Sequence, residues 1–407
     1  MLFVSFACYL DDANGAAVAS RAMMEALARR GFAVAVLCGP ILELNSEIDL
    51  ASFLTGRGLP VDRRGGDSWD VGSFGARPRA PLHLFLNANG VPITILSGST
   101  RPRAPTDDEQ QDFLWLFEEA SARPRPEVVV SYGGGSLTRE VLRRAKVRGA
   151  ASVFTLHNLR YHDPATFSDV DTVLVASRFA AEHYRSRLGL QCTALSNLVN
   201  YERALASDRR PKYVVFVNPT IEKGVGVFAR IADELGRRRP EIPFLVVEGR
   251  GTEADVAACG LDLRAHGNVF FHEHTSDPRR FWRVARVCLL PSVVGENQPL
   301  VAIEAMINGV PVIGSNRGGI PETLGTAGSV LPIPDRLSPT SPLLPTPGEI
   351  NPWVEAILEL WDSPEVYERA SRRALIEARR WAPDTLEPRY ERFFATIGLG
   401  RELPIGD

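Results

Sequence analysis

The chain has 407 residues, a length that exceeds one ordinary hydrophobic core and favours two domains. Hydrophobic residues make up 44% of it and charged residues 23%, the balance of a soluble globular protein. The formal net charge of -3 excludes a protein-wide attraction to nucleic acid or to an anionic membrane and leaves room for a local patch.

The N-terminal run MLFVSFACYLDDANG has no basic residue ahead of its apolar stretch and ends in acidic residues. It therefore predicts a first strand rather than a signal peptide. No apolar stretch approaches the length of about 18 residues that spans a membrane. The five cysteines are scattered, without a CxxC or a zinc spacing, which predicts reduced, buried thiols. We expect a cytoplasmic protein, and contact with the inner face of the membrane is left open.

The first half of the chain alternates apolar runs with segments of helical spacing. A strand over 2–9, a helix over 16–30 and a strand over 32–38 form a β–α–β unit, which requires a parallel sheet. This half is therefore predicted to be a doubly wound α/β domain. Its later elements are predicted at 127–131, 136–146, 151–156 and 173–176, followed by a helix that Ser177 caps and that ends near Arg187.

Residues 60–105 are less regular and rich in proline, glycine and arginine. Arg-Pro-Arg-Ala-Pro at 77–81 recurs at 101–105, with a partial echo at 123–126. Arginines that flank proline either line an anionic acceptor site or lie in proline-stiffened surface loops, and the pattern favours surface loops.

The alternation begins again after a polar stretch near 201–212. Two α/β halves in series predict two Rossmann-like domains, 1–205 and 206–381, that face a central cleft. Ligand sites in such sheets lie at the carboxyl ends of the strands. Elements of the second half are predicted at 213–217, 225–238, 244–248, 269–272, 287–290 and 310–314, followed by helices near 351–360 and 364–380.

The segment at 291–315 reads PSVVGENQPLVAIEAMINGVPVIGS. It predicts a strand end, a loop that carries Glu296, and a helix that starts near Pro299 and stops at Asn308-Gly309. The first turn of this helix offers unpaired amides, those of Leu300 and Val301, and a positive dipole end to a diphosphate.

Two glutamates flank this helix start. Glu296, followed by Asn297, can accept hydrogen bonds from sugar hydroxyls. Glu304 can accept two ribose hydroxyls, as acidic residues do in dinucleotide-binding folds. Sugar, diphosphate and ribose are the three parts of a nucleotide-sugar, although two glutamates at this spacing also occur as ordinary helix acids.

The glutamate pair belongs to a longer pattern. It follows Pro-Ser and precedes Gly-Val-Pro-Val-Ile at 309–313 and Gly-Gly-Ile-Pro-Glu at 318–322. Glu-Lys-Gly at 222–224, Leu-His at 156–157 and Asn-Gly-Ala at 14–16 lie where matching motifs are expected. Over nearly its whole length the sequence resembles the family-4 retaining glycosyltransferases.

The resemblance implies a GT-B fold whose C-terminal segment, 382–407, returns to the first domain. It also implies a hexosyl transfer from a nucleotide-sugar, such as a UDP-, GDP- or ADP-sugar, to a hydroxyl acceptor. Transfer would retain the anomeric configuration by front-face attack, with the leaving phosphate as base and with no metal or other cofactor. The acceptor, whether saccharide, lipid-linked or natural product, is not specified, and no nucleic-acid partner is expected.

The resemblance also implies roles for single residues. Glu296 would contact the donor sugar, Glu304 the ribose, and Lys223 the diphosphate, whose departing charge must be stabilised. His157 would lie near the sugar from the other domain. Acceptor contacts are expected at Asn14, Gly15, Ala16 and Arg160.

Two positions depart from the family pattern. Asn218 stands where an arginine is often found, so Arg250 or Arg317 is expected to supply the missing cation. Pro299 stands where a glycine donates an amide. Two alternatives therefore stay open: a sugar-nucleotide epimerase or hydrolase of the same fold, and a non-catalytic nucleotide-sugar-binding protein.

Asp169-Val-Asp171 formally resembles the metal motif of the other glycosyltransferase fold. These residues directly precede a predicted strand, which favours a solvated turn over a metal site.

Overall fold

The computed structural model describes residues 1–43, 47–66, 70–72, 75–77, 80–340 and 343–398. Contacts divide the chain into two compact units. The first comprises Met1–Ala176, Ala181–Leu195 and Glu387–Asp407, and the second comprises Ser177–Ala180 and Ser196–Leu386. In these described residues, every helix is too short or too polar to cross a membrane.

Within the described residues of the first unit, nine strands form one sheet. They are β1 (Leu2–Ala7), β2 (Ala35–Ile41), β3 (Asp62–Arg64), β6 (His83–Ala88), β7 (Val91–Leu96), β8 (Val128–Ser131), β9 (Ala151–Leu156), β10 (Thr172–Val175) and β11 (Cys192–Ala194), with β4 (Asp70–Gly72) and β5 (Gly75–Arg77) paired separately. The order is β11-β10-β9-β8-β1-β2-β7-β6-β3. Neighbours are parallel from β11 to β7, and β6 is antiparallel to both β7 and β3.

Helices connect these strands as the predicted β–α–β units require. They are α1 (Gly15–Arg29), α2 (Leu50–Gly56), α3 (Asp107–Ala120), α4 (Ser136–Val147) and α5 (Arg178–Leu188), with a 3-10 turn at Pro164–Phe167. Ser177 caps α5 as predicted, because its hydroxyl accepts a hydrogen bond from the amide of Ala180.

The expectation of an irregular segment over 60–105 is wrong, because β6 and β7 form an antiparallel hairpin there. Asn89 and Gly90 join the strands with φ of 51° and 79°, the left-handed conformations that a tight type I′ turn requires. The sequence carries the signal for this hairpin, an Asn-Gly pair between two apolar runs, but prolines and arginines on either side obscure it. Pro78 and Arg79 of the first Arg-Pro repeat lie outside the described residues.

The second unit contains a fully parallel sheet in the order β14-β13-β12-β15-β16-β17. Its strands are β12 (Tyr213–Val217), β13 (Phe244–Val247), β14 (Val269–His272), β15 (Ala285–Leu290), β16 (Val312–Ser315) and β17 (Ser329–Leu331). The helices are α6 (Tyr201–Ala204), α7 (Val225–Arg238), α8 (Glu253–Ala257), α9 (Arg279–Trp282), α10 (Leu300–Ile307), α11 (Ile320–Leu324), α12 (Pro347–Asp362) and α13 (Pro364–Ala378), with 3-10 turns at Leu263–His266 and Arg379–Trp381. The last helix, α14 (Pro383–Gly398), begins in this unit.

One continuous apolar core holds this unit together. Helices α7 and α12 pack against β12, β13 and β15 through a cluster that includes the buried rings of Phe228, Phe244 and Trp353. Burial of each such side chain contributes about 1.5–3 kcal/mol. The core thereby fixes the strand ends from which the candidate site is built.

The C-terminal helix α14 starts in the second unit and belongs to the first from Glu387 onward. The carboxylate of Glu387 lies 2.7 Å from the guanidinium of Arg29, and the hydroxyl of Tyr390 donates to the carbonyl of Leu195. The predicted return of the chain to the first domain is confirmed by this helix. Residues 399–407 of the predicted segment lie outside the described residues.

Candidate donor site

Four loops of the second unit leave the carboxyl ends of adjacent parallel strands. Residues 218–224 follow β12, residues 248–252 follow β13, residues 291–299 follow β15, and residues 316–319 follow β16. Because neighbouring parallel strands end at the same edge of a sheet, these loops are brought together there. They carry most of the donor-binding residues predicted from the sequence.

Lys223 and Glu296 meet at this edge. The ammonium of Lys223 lies 2.6 Å from Oε1 of Glu296, and the hydroxyl of Ser292 donates to the same oxygen at 2.7 Å. Burial would raise the pKa of Glu296, but the charge and hydrogen bond of Lys223, with help from Ser292 and the charge of Arg250, lower it. Glu296 is therefore a carboxylate at neutral pH, with one oxygen engaged by two donors.

Glycines allow these loops to approach each other closely. A Cβ at Gly224 would lie 1.9 Å from the carbonyl oxygen of Pro291, and one at Gly318 would lie 2.4 Å from that of Glu296. Both glycines have left-handed backbones, with φ of 84° and 60°. Glu296 and Gly318 also form a parallel β-bridge, and the amide of Gly319 donates to the Glu296 carbonyl at 2.7 Å. The Gly-Gly and Lys-Gly pairs of the sequence thus fix the backbone on both sides of Glu296.

Glu304 lies in the second turn of α10 in a different environment. The indole Nε1–H of Trp282 donates to Oε2 of Glu304 at 3.1 Å. Burial raises the pKa of Glu304 to about 7, although the hydrogen bond of Trp282 and the charge of Arg203 oppose the shift. The two glutamates of the motif therefore differ in ionisation. Glu296 is fully ionised at neutral pH, whereas the pKa of Glu304 lies close to neutral pH.

The start of α10 lies one residue later than predicted, since Pro299 is the N-cap and Leu300 the first helical residue. The first amides of a helix have no partner within it, so those of Leu300 and Val301 keep the predicted orientation at the positive end of the helix dipole. Asn297 is buried, and its side-chain oxygen accepts a hydrogen bond from the Ser177 hydroxyl at 2.8 Å.

Asn218 organises a turn. Its backbone is left-handed, with φ of 59°, and its side-chain oxygen accepts from the amide of Gly251 at 3.0 Å. This contact ties the loop after β12 to the loop after β13. Of the two expected replacement cations, Arg250 acts on Glu296 through its charge, whereas Arg317 is bound to the Asp335 carboxylate at 2.8 Å and to the Ile333 carbonyl.

Glu322, the last residue of the Gly-Gly-Ile-Pro-Glu motif, has a capping role. Its two carboxylate oxygens accept hydrogen bonds from the amides of Arg178 and Phe179 at 3.0 and 2.9 Å. These are first-turn amides of α5, which are otherwise left without a helical partner. The acidic side chain also complements the positive end of the helix dipole.

In the first unit, His157 directly follows β9. Its ring packs edge-on against Tyr132, and its Nε2 lies 3.4 Å from the hydroxyl of Ser20 on α1. Burial lowers the pKa of His157 to about 4, so the imidazole is neutral at neutral pH. A neutral imidazole offers one donor and one acceptor.

Among the expected acceptor residues, Asn14 caps α1. Its side-chain oxygen accepts from the amides of Ala16 and Ala17 at 2.9 and 3.1 Å. Gly15 is exposed, and a Cβ there would meet no atom of the described chain within 4 Å. Arg160 is exposed in the loop after β9, where its amide donates to the Asn158 side chain at 3.0 Å.

Two other sequence hypotheses gain a structural interpretation. Arg103 of the second Arg-Pro repeat forms a bidentate pair with Glu109 at 2.5–2.6 Å, beside the capping box of α3, which supports the surface-loop interpretation. A carboxylate oxygen of Asp171 accepts from both the amide and the hydroxyl of Ser152 at 2.8 Å, so this residue fastens β9 to the start of β10.

The sequence did not indicate the residues that hold the two glutamates. Ser292 stands in the Pro-Ser motif without a role of its own, and its carbonyl is in turn held by the Ser315 hydroxyl at 2.7 Å. Trp282 lies 22 residues before Glu304 in a four-residue helix with no motif. The contacts of Ser292 with Glu296 and of Trp282 with Glu304 therefore become visible only in the folded structure.

Solved structures of 11–15% sequence identity share the fold of the whole chain. Sucrose-phosphate synthase from Thermosynechococcus elongatus matches with a TM-score of 0.70 and 15% identity, covering 98% of this chain and 100% of that one. The catalytic domain of starch synthase IV from Arabidopsis thaliana, bound to ADP and acarbose, matches with a TM-score of 0.67 and 11% identity. The match covers 98% of this chain and 99% of that one. HepE from Anabaena, in complex with UDP and glucose, matches with a TM-score of 0.64 and 14% identity. The match covers 97% of this chain and 99% of that one. The chain therefore has the GT-B fold predicted from its sequence.

A protein-family model matches a long segment of the second unit. Residues 211–362 match the family described as glycosyl transferases group 1. This segment contains β12 to α12 and every donor-site residue discussed above in the second unit except Ser177, Arg178, Phe179 and Arg203. No curated protein matches the chain. This segment thus matches the glycosyl transferases group 1, and the resemblance of the sequence to glycosyltransferases is confirmed at that coarser level.

Proposed function

We propose that this protein is a retaining, metal-independent glycosyltransferase that moves a hexosyl group from a nucleotide-sugar to a hydroxyl acceptor. The observation that carries the proposal is the Lys223–Glu296 pair, in which Glu296 lies just before the start of α10. Glu304 lies in the second turn of the same helix. A cation, free helix amides and two carboxylates are the groups that a diphosphate, a sugar and a ribose require.

In the proposed reaction, the bond between the anomeric carbon and the phosphate oxygen breaks, and a bond to the acceptor oxygen forms on the same face. The acceptor proton passes to the leaving phosphate. Lys223 and the amides of Leu300 and Val301 stabilise the charge that develops on that phosphate. Glu296 orients the sugar through its hydroxyls, and Glu304 binds the ribose.

Arg250 is proposed as the second cation in place of the arginine that Asn218 replaces. Its charge helps to lower the pKa of Glu296. His157, as a neutral imidazole, is proposed to donate a hydrogen bond to the sugar, while Asn14, Gly15, Ala16 and Arg160 are proposed to contact the acceptor. Asn218 and Asn297 are proposed to shape the donor site through the backbone contacts that they make.

A thermal-shift screen with UDP-, GDP- and ADP-sugars tests the proposal. HepE and starch synthase IV were solved with UDP and ADP, so these two nucleotides lead the screen. A donor at 100 times its Kd should stabilise the protein by about 2.7 kcal/mol. Glu304→Ala should lose most of this stabilisation, and equal binding by this variant would refute the assigned site.

Product analysis separates transfer from the two alternatives. A glycosyltransferase consumes its donor when a hydroxyl acceptor is added and yields a glycoside of unchanged anomeric configuration. Donor consumption without any acceptor would instead indicate an epimerase or hydrolase. Tight donor binding without consumption across a broad acceptor panel would indicate a binding protein.

A further inference from the structure

The side chain of Glu304 is fixed by one hydrogen bond from a buried donor. Trp282, with no exposed surface, directs its indole N–H at Oε2 of Glu304 over 3.1 Å. The ring of Phe281 packs against the indole at a centroid distance of 4.8 Å, which restricts its rotation. An indole N–H donates and cannot accept, so this contact is satisfied only by an oxygen of Glu304 or a similar acceptor.

The backbone of Glu304 is fixed separately. The side-chain amide of Asn308 donates to the carbonyls of Glu304 and Ala204, both at 2.8 Å, and its oxygen accepts from the amide of Ala206. Helix α10 is thereby tied to α6, which carries Arg203, the residue whose charge favours the ionised form of Glu304. With the backbone held by Asn308, the remaining freedom of Glu304 lies in its side-chain torsions.

We propose that Trp282 is a positioning residue that makes the donor site select ribose over 2′-deoxyribose. The inference rests on the proposed function, in which Glu304 binds the ribose. With Trp282 held on Oε2, Oε1 and the remaining lone pair of Oε2 are presented to two neighbouring hydroxyls. A 2′-deoxynucleotide supplies only one of these hydroxyls, so part of a half-buried carboxylate stays unsatisfied, which is the costly outcome for a buried polar group.

Removal of the indole N–H should weaken this selection. In Trp282→Phe an aromatic ring still fills the core, but Oε2 loses its donor and the carboxylate is free to rotate. The ribose hydroxyls would then meet several carboxylate orientations instead of one. A hydrogen bond to a charged group is worth about 1.5–3 kcal/mol, which corresponds to a change of about tenfold or more in affinity.

The test measures the binding of UDP, GDP and ADP by calorimetry and then compares the tightest of them with its 2′-deoxy analogue. We expect the parent to prefer the ribonucleotide by about tenfold and Trp282→Phe to prefer it by less than about twofold. Trp353→Phe is the matched control, because Trp353 is equally buried in the same unit but belongs to the core cluster around α7 and α12. It should keep the preference of the parent even where its stability falls.

The outcomes separate this inference from the proposed function. If the parent binds none of the three diphosphates, the proposed function fails. If the parent selects the ribonucleotide and Trp282→Phe selects it equally well, the proposed function stands and the role of Trp282 is refuted.

If Trp282→Phe does not fold, a measurement on the parent protein alone still tests the proposal. In ¹H–¹⁵N spectra of the parent, the indole signal of Trp282, assigned by its absence in any soluble Trp282 variant or by selective labelling, should shift more with the ribonucleotide than with its deoxy analogue. Equal shifts with both nucleotides would refute the proposal as well.

Discussion

Lys223 and Glu296 form an ion pair, with Nζ and Oε1 2.6 Å apart and only 24% and 14% of the two side chains exposed. In the proposed complex the ammonium must turn towards a diphosphate and the carboxylate towards sugar hydroxyls. The ion pair keeps both side chains charged and ordered at the edge of the sheet where the donor is proposed to bind. A pre-organised pair of this kind avoids the cost of ordering each side chain on binding.

Lys223→Met tests the electrostatic part of this arrangement. Without the ammonium, burial dominates the pKa of Glu296 and raises it, because Lys223 is the main group that lowers it. We expect a loss of about 2 kcal/mol in the free energy of unfolding at pH 8, measured with urea, since an uncompensated charge stays partly buried. The double variant Lys223→Met/Glu296→Gln should recover most of the loss, and Lys212→Met, at an exposed lysine, should lose little. Parent-like stability of the single variant would contradict the argument.

Gly318→Ala tests the close approach that fixes Glu296. The added Cβ would lie 2.4 Å from the Glu296 carbonyl oxygen in a left-handed backbone, so the bridge between the two loops must open. Gly267→Ala is a matched control, because Gly267 has a similar φ of 67° with no atom within 4 Å of the added Cβ.

We expect the control to lose about 1 kcal/mol and Gly318→Ala to lose about 1–3 kcal/mol more in unfolding free energy. The donor affinity of Gly318→Ala should fall as well, whereas that of the control should not. Equal losses in the two variants would show that left-handed strain alone, without the contact to Glu296, determines the effect.

Glu304 predicts a specific dependence of stability on pH. Its pKa is about 7 in the folded protein and near 4.5 in the unfolded chain, so between these values the folded state keeps a proton that the unfolded state releases. Stability contributed by this group is therefore highest below about pH 4.5 and falls as the pH rises towards 7. Relative to Glu304→Gln, the parent should lose on the order of 2 kcal/mol between pH 5 and pH 8 in urea unfolding. A constant difference between the two proteins would contradict the raised pKa.

The same titration should act on donor binding in the opposite direction. Ribose hydroxyls donate to the ionised carboxylate, so nucleotide affinity should rise from pH 6 to pH 8 in the parent. Glu304→Gln should bind more weakly and show a flatter pH profile, as calorimetry can measure. A parent profile that matches that of the variant would separate ribose binding from the ionisation of Glu304.

The placement of the proposed donor-site residues on strands, loops and helices could be predicted where a motif and a regular apolar period coincide. Lys223 and Glu296 lie in loops that follow β12 and β15, and Glu304 lies in the second turn of α10. The strand over 213–217 and the helix over 225–238, which apolar spacing predicts, are confirmed to the residue. The groups that hold these side chains follow no local period. The Trp282–Glu304 contact joins two helices, α9 and α10, that are separated in the chain by β15, and Glu322 accepts hydrogen bonds from amides 144 and 143 residues away.

Asn218 is a second case in which the sequence alone does not show the role of a residue. The family pattern suggests only that a cation is missing there, whereas in the structure the asparagine side chain accepts a hydrogen bond from the amide of Gly251. An arginine at this position would have no side-chain oxygen to accept the hydrogen bond from the amide of Gly251. Asparagine is also among the residues that tolerate the left-handed backbone found here.

Asn218→Arg should therefore not act as a simple restoration of the family pattern. We expect a loss of about 1–2 kcal/mol in unfolding free energy, from the lost hydrogen bond and the strained turn, and no gain in donor affinity. Asn218→Asp is the matched control, because it keeps an acceptor oxygen and tolerates the same φ, and it should retain most of the parent stability. If Asn218→Arg were as stable as the parent and bound the nucleotide-sugar more tightly, the turn would have no structural need for asparagine, and the missing cation would be the whole significance of this position.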